Sequence, residues 1–411
     1  MKDNPFTSDI FTTTWLKHFN NSGAGVSFDP LRKLLFVRHK VPKLYVNCGK
    51  THTKGINYSL DNSNTQDLKG KALLIYDVPT YFEINPKINS TSLRLHKIKQ
   101  YPGFLIKLDG FKNISEYINA TFKGKSRNKL KRDKKRLENS FDIKYEMYYG
   151  KTSKEEYDTI FESFKILLEK RFEKKGIYNN NLNPQEWNFY YEVAYPMILA
   201  KKACLFVVRE RNRPISIMLN FLSEDSLYQF IMAFDVDYAK FNVGTTSLMK
   251  LIEWCLEKEL KVFDFSKGYF DFKKRWSSLE YQFEYHVLYD KNSLQSFLIA
   301  FYLKQYFMLK QFLREKKINE LIHSLRFSSK NKTKTNQQKY TLLEVANSYE
   351  NHPKKLIDVF NKEQHYLKPA VIDFLYYNSE TLNDIKVYKI LDDTSRYLVS
   401  SEKKSTLIQI E

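Results

Sequence analysis

Val262-Phe263-Asp264-Phe265-Ser266-Lys267-Gly268, running on to Phe272-Lys273-Lys274-Arg275-Trp276, decides the reading of this chain. A short apolar strand is ended by a glycine and followed by a basic, aromatic turn. Upstream, Thr245 to Leu260 has helical spacing and opens at Asn242-Val243-Gly244-Thr245-Thr246. A strand, a glycine-containing loop, a helix and a second strand can cradle a phosphate. Backbone N–H groups at a helix N-terminus point outward, and both they and the helix dipole favour negative charge. Gly244 lets a ligand approach the backbone, and Thr245 and Thr246 add hydroxyl donors. A plain helix cap built from Gly and Thr is the competing reading.

Working outward, the same alternation of strand and helix continues. Ile143 to Tyr149 alternates like a strand, and Ser153 to Lys175 is helical with Ser153 and Glu156 placed as a capping box. Pro184 suits a first helical turn, and Pro196 should kink or break that helix near Tyr195. Cys204–Arg209, Ile215–Leu222 and Leu227–Ala233 read as three strands separated by polar turns, with a last strand at Tyr281–Tyr289. Before this block, Thr14–Asn20 reads as a short helix, and Leu34–Arg38, Leu44–Asn47, Ala72–Val78 and Phe104–Leu108 as strands. Ile114 to Glu138 predicts one long basic helix or two, hinged at Gly124. After it, Ser293–Leu325 predicts a long helix, with Leu298, Phe301, Tyr302, Met308, Leu309 and Phe312 at helical spacing as its apolar face; from 340 on, one or two helices are expected, followed by strands near 385–390, 397–400 and 406–410.

Composition sets the outer bounds. The chain has 411 residues and a formal net charge of +20, which suits two or three domains and an anionic partner. AT-rich coding would also raise Lys, Asn, Ile, Phe and Tyr. The charge is concentrated, however: residues 123–136 carry net +8 and residues 291–340 net +9. Cys48, Cys204 and Cys255 are odd in number and widely spaced, so neither a disulfide framework nor a zinc site is expected, and a reducing cytoplasm fits. No secretory signal is legible at the N-terminus. The longest uncharged run, Asn292–Leu303, is far shorter than the ~20 residues that span a bilayer.

Three stretches carry a family resemblance: Ser126-Arg127-Asn128-Lys129-Leu130-Lys131-Arg132, Phe234-Asp235-Val236-Asp237-Tyr238, and Phe263 to Gly268 with Phe272 to Trp276. With the order of elements from Ile143 to Phe265, they resemble the GNAT acyltransferases, and more closely the CelD-type acetyltransferase branch related to the FemABX peptidoglycan-bridge transferases. The resemblance implies an α/β (α+β) fold of tandem GNAT-like units, each with a central mixed β-sheet flanked by helices, plus a C-terminal helical extension and a small C-terminal region. Residues 1–110 would be a degenerate N-terminal unit and 111–290 the acyltransferase domain. A basic amphipathic helix would follow at 291–327, a linker at 328–339 and a small α/β region at 340–411. Typical GNAT loops are richer in glycine and led by Arg or Gln; here there is one glycine, with Phe241 leading.

The resemblance also implies acetyl-CoA or another acyl-CoA as co-substrate and no metal. Its pyrophosphate would lie on Asn242, Val243, Gly244, Thr245 and Thr246. Its pantetheine arm would lie between Leu227–Phe234 and Val262–Phe265, with a backbone N–H near Ala233 or Phe234 polarising the thioester carbonyl. Asp235 and Asp264 end these strands, where a general base would stand; an Asp that hydrogen-bonds a loop is the bland alternative. Tyr238 or Tyr269 would protonate the thiolate. Arg127, Lys131 and Arg132, with Arg171, would grip an anionic acceptor, and Lys267, Lys273 and Trp276 border the donor strand. The expected function is N- or O-acetyl transfer to a sugar, lipid or cell-envelope precursor, in the cytoplasm. Alternatives are a tRNA-dependent aminoacyl transferase, the only reading that involves nucleic acid, and a non-catalytic binding or membrane-adaptor protein. Peripheral membrane contact through 293–325 competes with packing of that helix's apolar face on the catalytic domain, and packing is the preferred expectation.

Overall fold

The computed structural model describes residues 3–20, 23–61, 64–84, 92–176, 178–316, 339–345, 352–361 and 363–410. Among the described residues, eleven strands form one mixed sheet. They are β1 (Val26–Ser27), β2 (Leu35–Arg38), β3 (Leu44–Asn47), β4 (Ala72–Pro79), β5 (Leu93–Lys107), β6 (Ile143–Tyr148), β7 (Ala203–Glu210), β8 (Arg213–Leu222), β9 (Ser226–Phe234), β10 (Val262–Lys267) and β11 (Leu279–Asp290). In space the order is β1-β2-β3-β4-β11-β5-β10-β9-β8-β7-β6. The helices are α1 (Asp9–Phe19), α2 (Ile114–Thr121), α3 (Gly124–Ser140), α4 (Lys154–Lys175), α5 (Pro184–Leu199), α6 (Val243–Glu257), α7 (Asp271–Trp276), α8 (Leu294–Glu315) and α9 (Lys368–Asn378). A second, antiparallel sheet has the order β12-β16-β15-β14-β13, from β12 (Tyr340–Glu344), β13 (Lys354–Leu356), β14 (Lys386–Ile390), β15 (Arg396–Ser400) and β16 (Ser405–Ile410).

The class is therefore α/β with a mixed sheet flanked by helices, a helical extension and a small C-terminal region, as expected. Strands β6 to β9 form an antiparallel meander, and β10 returns through α6 to lie parallel to β9. The first unit repeats a parallel pair at β3 and β4. The units are tied by exchange: β11 inserts between β4 and β5, while long β5 pairs with both β10 and β11. Both faces of β7 are covered. Leu205 and Val207 enter a core with α1, α4 and α5, and Cys204, Phe206 and Val208 enter one with α2, α3, α6 and α9. Covered on both faces, the strand is a continuous apolar run rather than an alternating one.

Of the two readings of the basic segment, the structure has the two-helix one, broken between Thr121 and Gly124. Several other expectations change. Helix α5 continues through Pro196 to Leu199, because a proline in the last turn forfeits only one ladder bond. Helix α1 begins at Asp9, capped by Ser8, five residues before the expected start. The basic turn after β10 contains the short helix α7. Residues 317–338, which hold the expected end of the long helix and most of the linker, lie outside the described residues. The apolar stripe of α8, Leu298, Phe301, Tyr302, Met308, Leu309 and Phe312, faces outward, while Ala300, Leu303 and Phe307 pack on the sheet. The apolar residues of α8 occupy both faces, so periodicity picked the wrong one.

Candidate active site

Strands β9 and β10 pair only at Val262↔Ser226, Phe263↔Leu227 and Asp264↔Tyr228. Beyond that point Gln229–Phe234 have no partner on β10, so the parallel pair opens. A register shift between Leu219 and Asn220 on β8 leaves Phe230 as an extra residue on β9 and bends the strand at the opening. A cavity of about 210 Å³ lies at this opening, over the start of α6. Arg171, Phe234, Asn242, Val243, Gly244, Thr245 and Trp276, all predicted from sequence, line it, together with Met232, Phe272 and Arg275, which were not.

Each lining residue has a local cause. Asn242 has φ 54°, in the left-handed region that Asn tolerates, and makes no side-chain cap to α6. Its amide turns away to donate to Asp133 Oδ2 on α3 at 2.7 Å. The N–H groups of Thr245 and Thr246 reach Asn242 O, but among the described residues no acceptor meets those of Val243 and Gly244. Of these, Gly244 is part-exposed at the positive end of the helix and lines the cavity, whereas Val243 is fully buried beneath it. Gly244 also lets β9 side chains close on the helix: a Cβ there would lie 3.0 Å from the Met232 Cε and 3.1 Å from the Phe234 ring, which would have to shift by a few tenths of an ångström. Arg171 Nη1 donates to Met232 O at 2.7 Å on the open edge of β9, and its guanidinium lies 4.5 Å from the Phe234 ring. Its Nε is buried without a hydrogen-bond partner. Trp276 is 4% exposed, stacked on Tyr117 and edge-on to Phe122, so it anchors the core and forms a cavity wall together.

Asp264 stands where the strands part, and its side chain turns to a second set of residues. Tyr281 donates to its carboxylate at 2.7 Å, Tyr81 at 2.9 Å and the Ser266 N–H at 2.6 Å. Burial pushes the Asp264 carboxyl up to about 6, against the lowering effect of those hydrogen bonds and of Lys273. Tyr281 reaches it across Gly103 of β5, where a Cβ would fall 2.2 Å from the tyrosine ring. Lys273 is 7% exposed and donates to Lys267 O at 2.9 Å and Ser266 O at 3.2 Å. Burial first, and then the charge of Lys54, bring its ammonium down to about 7. Lys267 is paired with buried Asp77 at 2.6 Å, and Asp77 also accepts from Thr53. Lys54, Asp77, Tyr81 and Tyr281 were missed from sequence. The one available signal was an aspartate inside the apolar run Ala72–Val78.

A lysine whose pKa is lower folded than unfolded favours the fold at high pH and disfavours it as pH falls through the folded value. Lys273→Met should therefore remove a rise in stability that the wild type shows above pH about 7. Denaturant midpoints measured across that range check it; parallel curves for the two proteins would contradict the burial argument.

The other predicted residues lie elsewhere. Asp235 and Asp237 are clamped by Lys170 and Lys368. Lys170 Nζ is 2.7 Å from Asp235, and Lys368 bonds the other Asp235 oxygen while lying 3.6 Å from Asp237. Burial alone would raise the Asp235 carboxyl, but Lys368 and then Lys170 hold it at about 2. A carboxylate so neutralised is a weak proton acceptor, so the geometry gives Asp235 a structural task in place of the expected base. Tyr238 is fully buried, with its hydroxyl enclosed and without a hydrogen-bond partner, and does not line the cavity, although its neighbour Ala239 does. Ala233 and Thr246 are buried and do not line the cavity, whereas Tyr269 is 59% exposed. On α3, Arg132 lies 3.7 Å from Asp133, the residue that holds Asn242. Arg127 bonds Asn119 O, and Lys131 is exposed. Among the described residues, no group of three or more His, Cys, Asp or Glu could hold a metal ion.

Residues 124–274, from α3 into α7, match the family described as "Acetyltransferase (GNAT) domain". No curated protein matches the chain. Among solved structures, a conserved protein of unknown function from Bacteroides thetaiotaomicron is similar at 9% identity, over 70% of this chain and 92% of its own, with TM-score 0.48. FemX is similar at 13% identity, over 69% and 92%, with TM-score 0.48. A tandem GNAT protein from the clavulanic acid biosynthesis pathway is similar at 7% identity, over 62% and 77%, with TM-score 0.32.

Proposed function

We propose that this chain is an acyltransferase of the CelD-type branch, moving an acetyl group from acetyl-CoA to an amine or hydroxyl on a sugar, lipid or cell-envelope precursor. The observation that carries the reading is the opening of β9 from β10 beyond Tyr228 and Asp264, with a cavity over the α6 terminus that Gly244 lines. The match of residues 124–274 to an acetyltransferase domain supports it. The α6 terminus at Gly244 and Thr245 would hold the donor's pyrophosphate, and the open edge of β9 its amide-bearing arm. Asp264, across the strands from the cavity, would take the proton from the acceptor, and Lys273, the nearest cation, would balance charge as the thioester is attacked. Lys54 and Lys267 would steer an anionic acceptor to the same place. The three cysteines are all free and buried, in keeping with a reducing cytoplasm.

Acetyl-CoA should raise the melting temperature by about 2–5 °C at saturation. Gly244→Val, which drives Met232 and Phe234 into the cavity, should abolish that shift. A shift with charged tRNA and none with acetyl-CoA would favour the second reading, aminoacyl transfer. One feature favours that rival: Lys125, Lys129, Lys131, Arg132 and Lys135 are exposed on the helix that holds Asn242, a row suited to RNA phosphates.

A further inference from the structure

Helix α8 is fixed to the sheet by one face and presents a second apolar face to solvent. Ala300, Leu303 and Phe307 are buried, and Phe307 stacks on Tyr285 with ring centroids 3.9 Å apart. On the far side Leu294 is 73% exposed, Tyr302 66%, Leu309 57%, Leu298 54%, Phe312 53% and Phe301 51%. Spaced at three and four residues, these form one stripe along a helix about 33 Å long. Monomers rarely leave so large a contiguous apolar strip uncovered without a use for it.

We propose that this face docks on an anionic lipid bilayer, with α8 lying in the plane of the interface. Half-exposed Phe297 and Tyr306 form the edges of this face, and at 100° per residue Lys304 and Lys310 flank those edges, where their stems lie along apolar surface and their ammonium groups reach headgroups. Lys291 and Lys316 stand beyond its two ends, Arg314 lies in its last turn, and Glu315 is the one acidic residue of the helix. That charge pattern complements an anionic surface. It opposes a second copy of the chain, because a symmetric α8 pair would bring two basic borders together. Among the described residues no helix is long and apolar enough to cross a membrane, so α8 would lie on the bilayer.

The surface also leads to the candidate site. The Arg314 guanidinium lies 3.5 Å from the Tyr101 ring centroid, and Tyr101 lies 6.1 Å from Tyr269. Tyr269 and its neighbour Phe270, 59% and 57% exposed, belong to the loop between β10 and α7, just after the Lys267 carbonyl that Lys273 binds. The helix that would dock is therefore linked, through its sheet-facing side, to the loop beside the candidate site. The proposal stands on α8 and does not depend on which acyl donor is used.

The test is co-sedimentation of the full chain with vesicles of phosphatidylglycerol and phosphatidylcholine, or of phosphatidylcholine alone. Wild-type protein should pellet with the anionic vesicles and weakly with the neutral ones. Phe301→Ser with Leu309→Ser removes apolar area and no charge. It should weaken binding more than about tenfold with the melting temperature unchanged. Lys304→Gln with Lys310→Gln should weaken it by about five-fold for each lysine. Equal pelleting of the Ser variant would assign binding to basic residues elsewhere and overturn the proposal. So would no pelleting at all, or a wild-type dimer in sedimentation equilibrium that the Ser variant loses.

Discussion

Asp264→Asn should lower the turnover of acyl transfer by about 10²–10³-fold and leave the thermal shift produced by acetyl-CoA unchanged. The two readouts separate because Asp264 turns to Tyr81 and Tyr281, while the donor cavity opens over α6. Asparagine keeps the shape, and its one carbonyl oxygen can still accept from Tyr281 and the Ser266 N–H, but the amide nitrogen that replaces Oδ2 cannot accept from Tyr81 and cannot take a proton. The pH profile gives an independent check. Burial raises this carboxyl to about 6, so the wild-type rate should climb through pH about 6 as the carboxylate forms. A small residual activity in the variant should lack that limb. Stability should move the opposite way. A carboxyl whose folded pKa is raised stabilises the fold below its ordinary value of 3.8 and loses that contribution as pH rises through about 6. Wild type should thus weaken relative to the variant across that interval. Thiol release from acetyl-CoA with amino-sugar acceptors, followed against pH, measures the rates. A variant with full turnover would remove Asp264 from the chemistry.

Asp235→Ala should cost about 3–5 kcal/mol of stability and affect catalysis only through the fold. Asp235 is 4% exposed, and Lys368 is 6% exposed. Removing the carboxylate leaves Lys170 and Lys368 to share Asp237 in a site that water barely reaches. The loss also has a location: Lys368 begins α9, so the clamp adds a buried ionic tie from the C-terminal region to α4 and to the turn after β9, beside the apolar packing of α9. The native carboxyl is held at about 2, below its ordinary 3.8. Its contribution is therefore present above pH about 4 and fades as pH falls from there through about 2. Urea midpoints of both proteins should converge in acid and separate toward neutrality. Loss of protection in α9 by hydrogen exchange, ahead of β9, would locate the damage. A midpoint unchanged at neutral pH would show that the clamp does not hold the two regions together.

Elements with a strong local signal were legible in the sequence. Strands β7 to β10 and helix α4 fall within a few residues of their expected bounds, because apolar runs, turn residues and the Ser153 cap act over short distances. The start of α6 was legible for the same reason, and with it most of the cavity lining. Asp235 and Asp264 could not be told apart, since both are aspartates at the ends of strands. One meets two lysines, one of them 133 residues away in sequence; the other meets Tyr81, 183 residues earlier. Lys54 and Asp77 were invisible as site residues because the strand exchange of β5 and β11 brings the first unit against β10. The two faces of α8 share one residue type, so periodicity alone could not say which one the sheet covers.

The sequence by itself determined the α/β class, the order of strands around α6 and the concentration of positive charge, all set by local periodicity, turn chemistry and composition. The tertiary structure decided that β9 parts from β10, that one aspartate is neutralised and the other is left with a raised pKa, and that α8 keeps an apolar face in water. Each depends on which distant groups share a desolvated space, and short-range preferences carry no record of that.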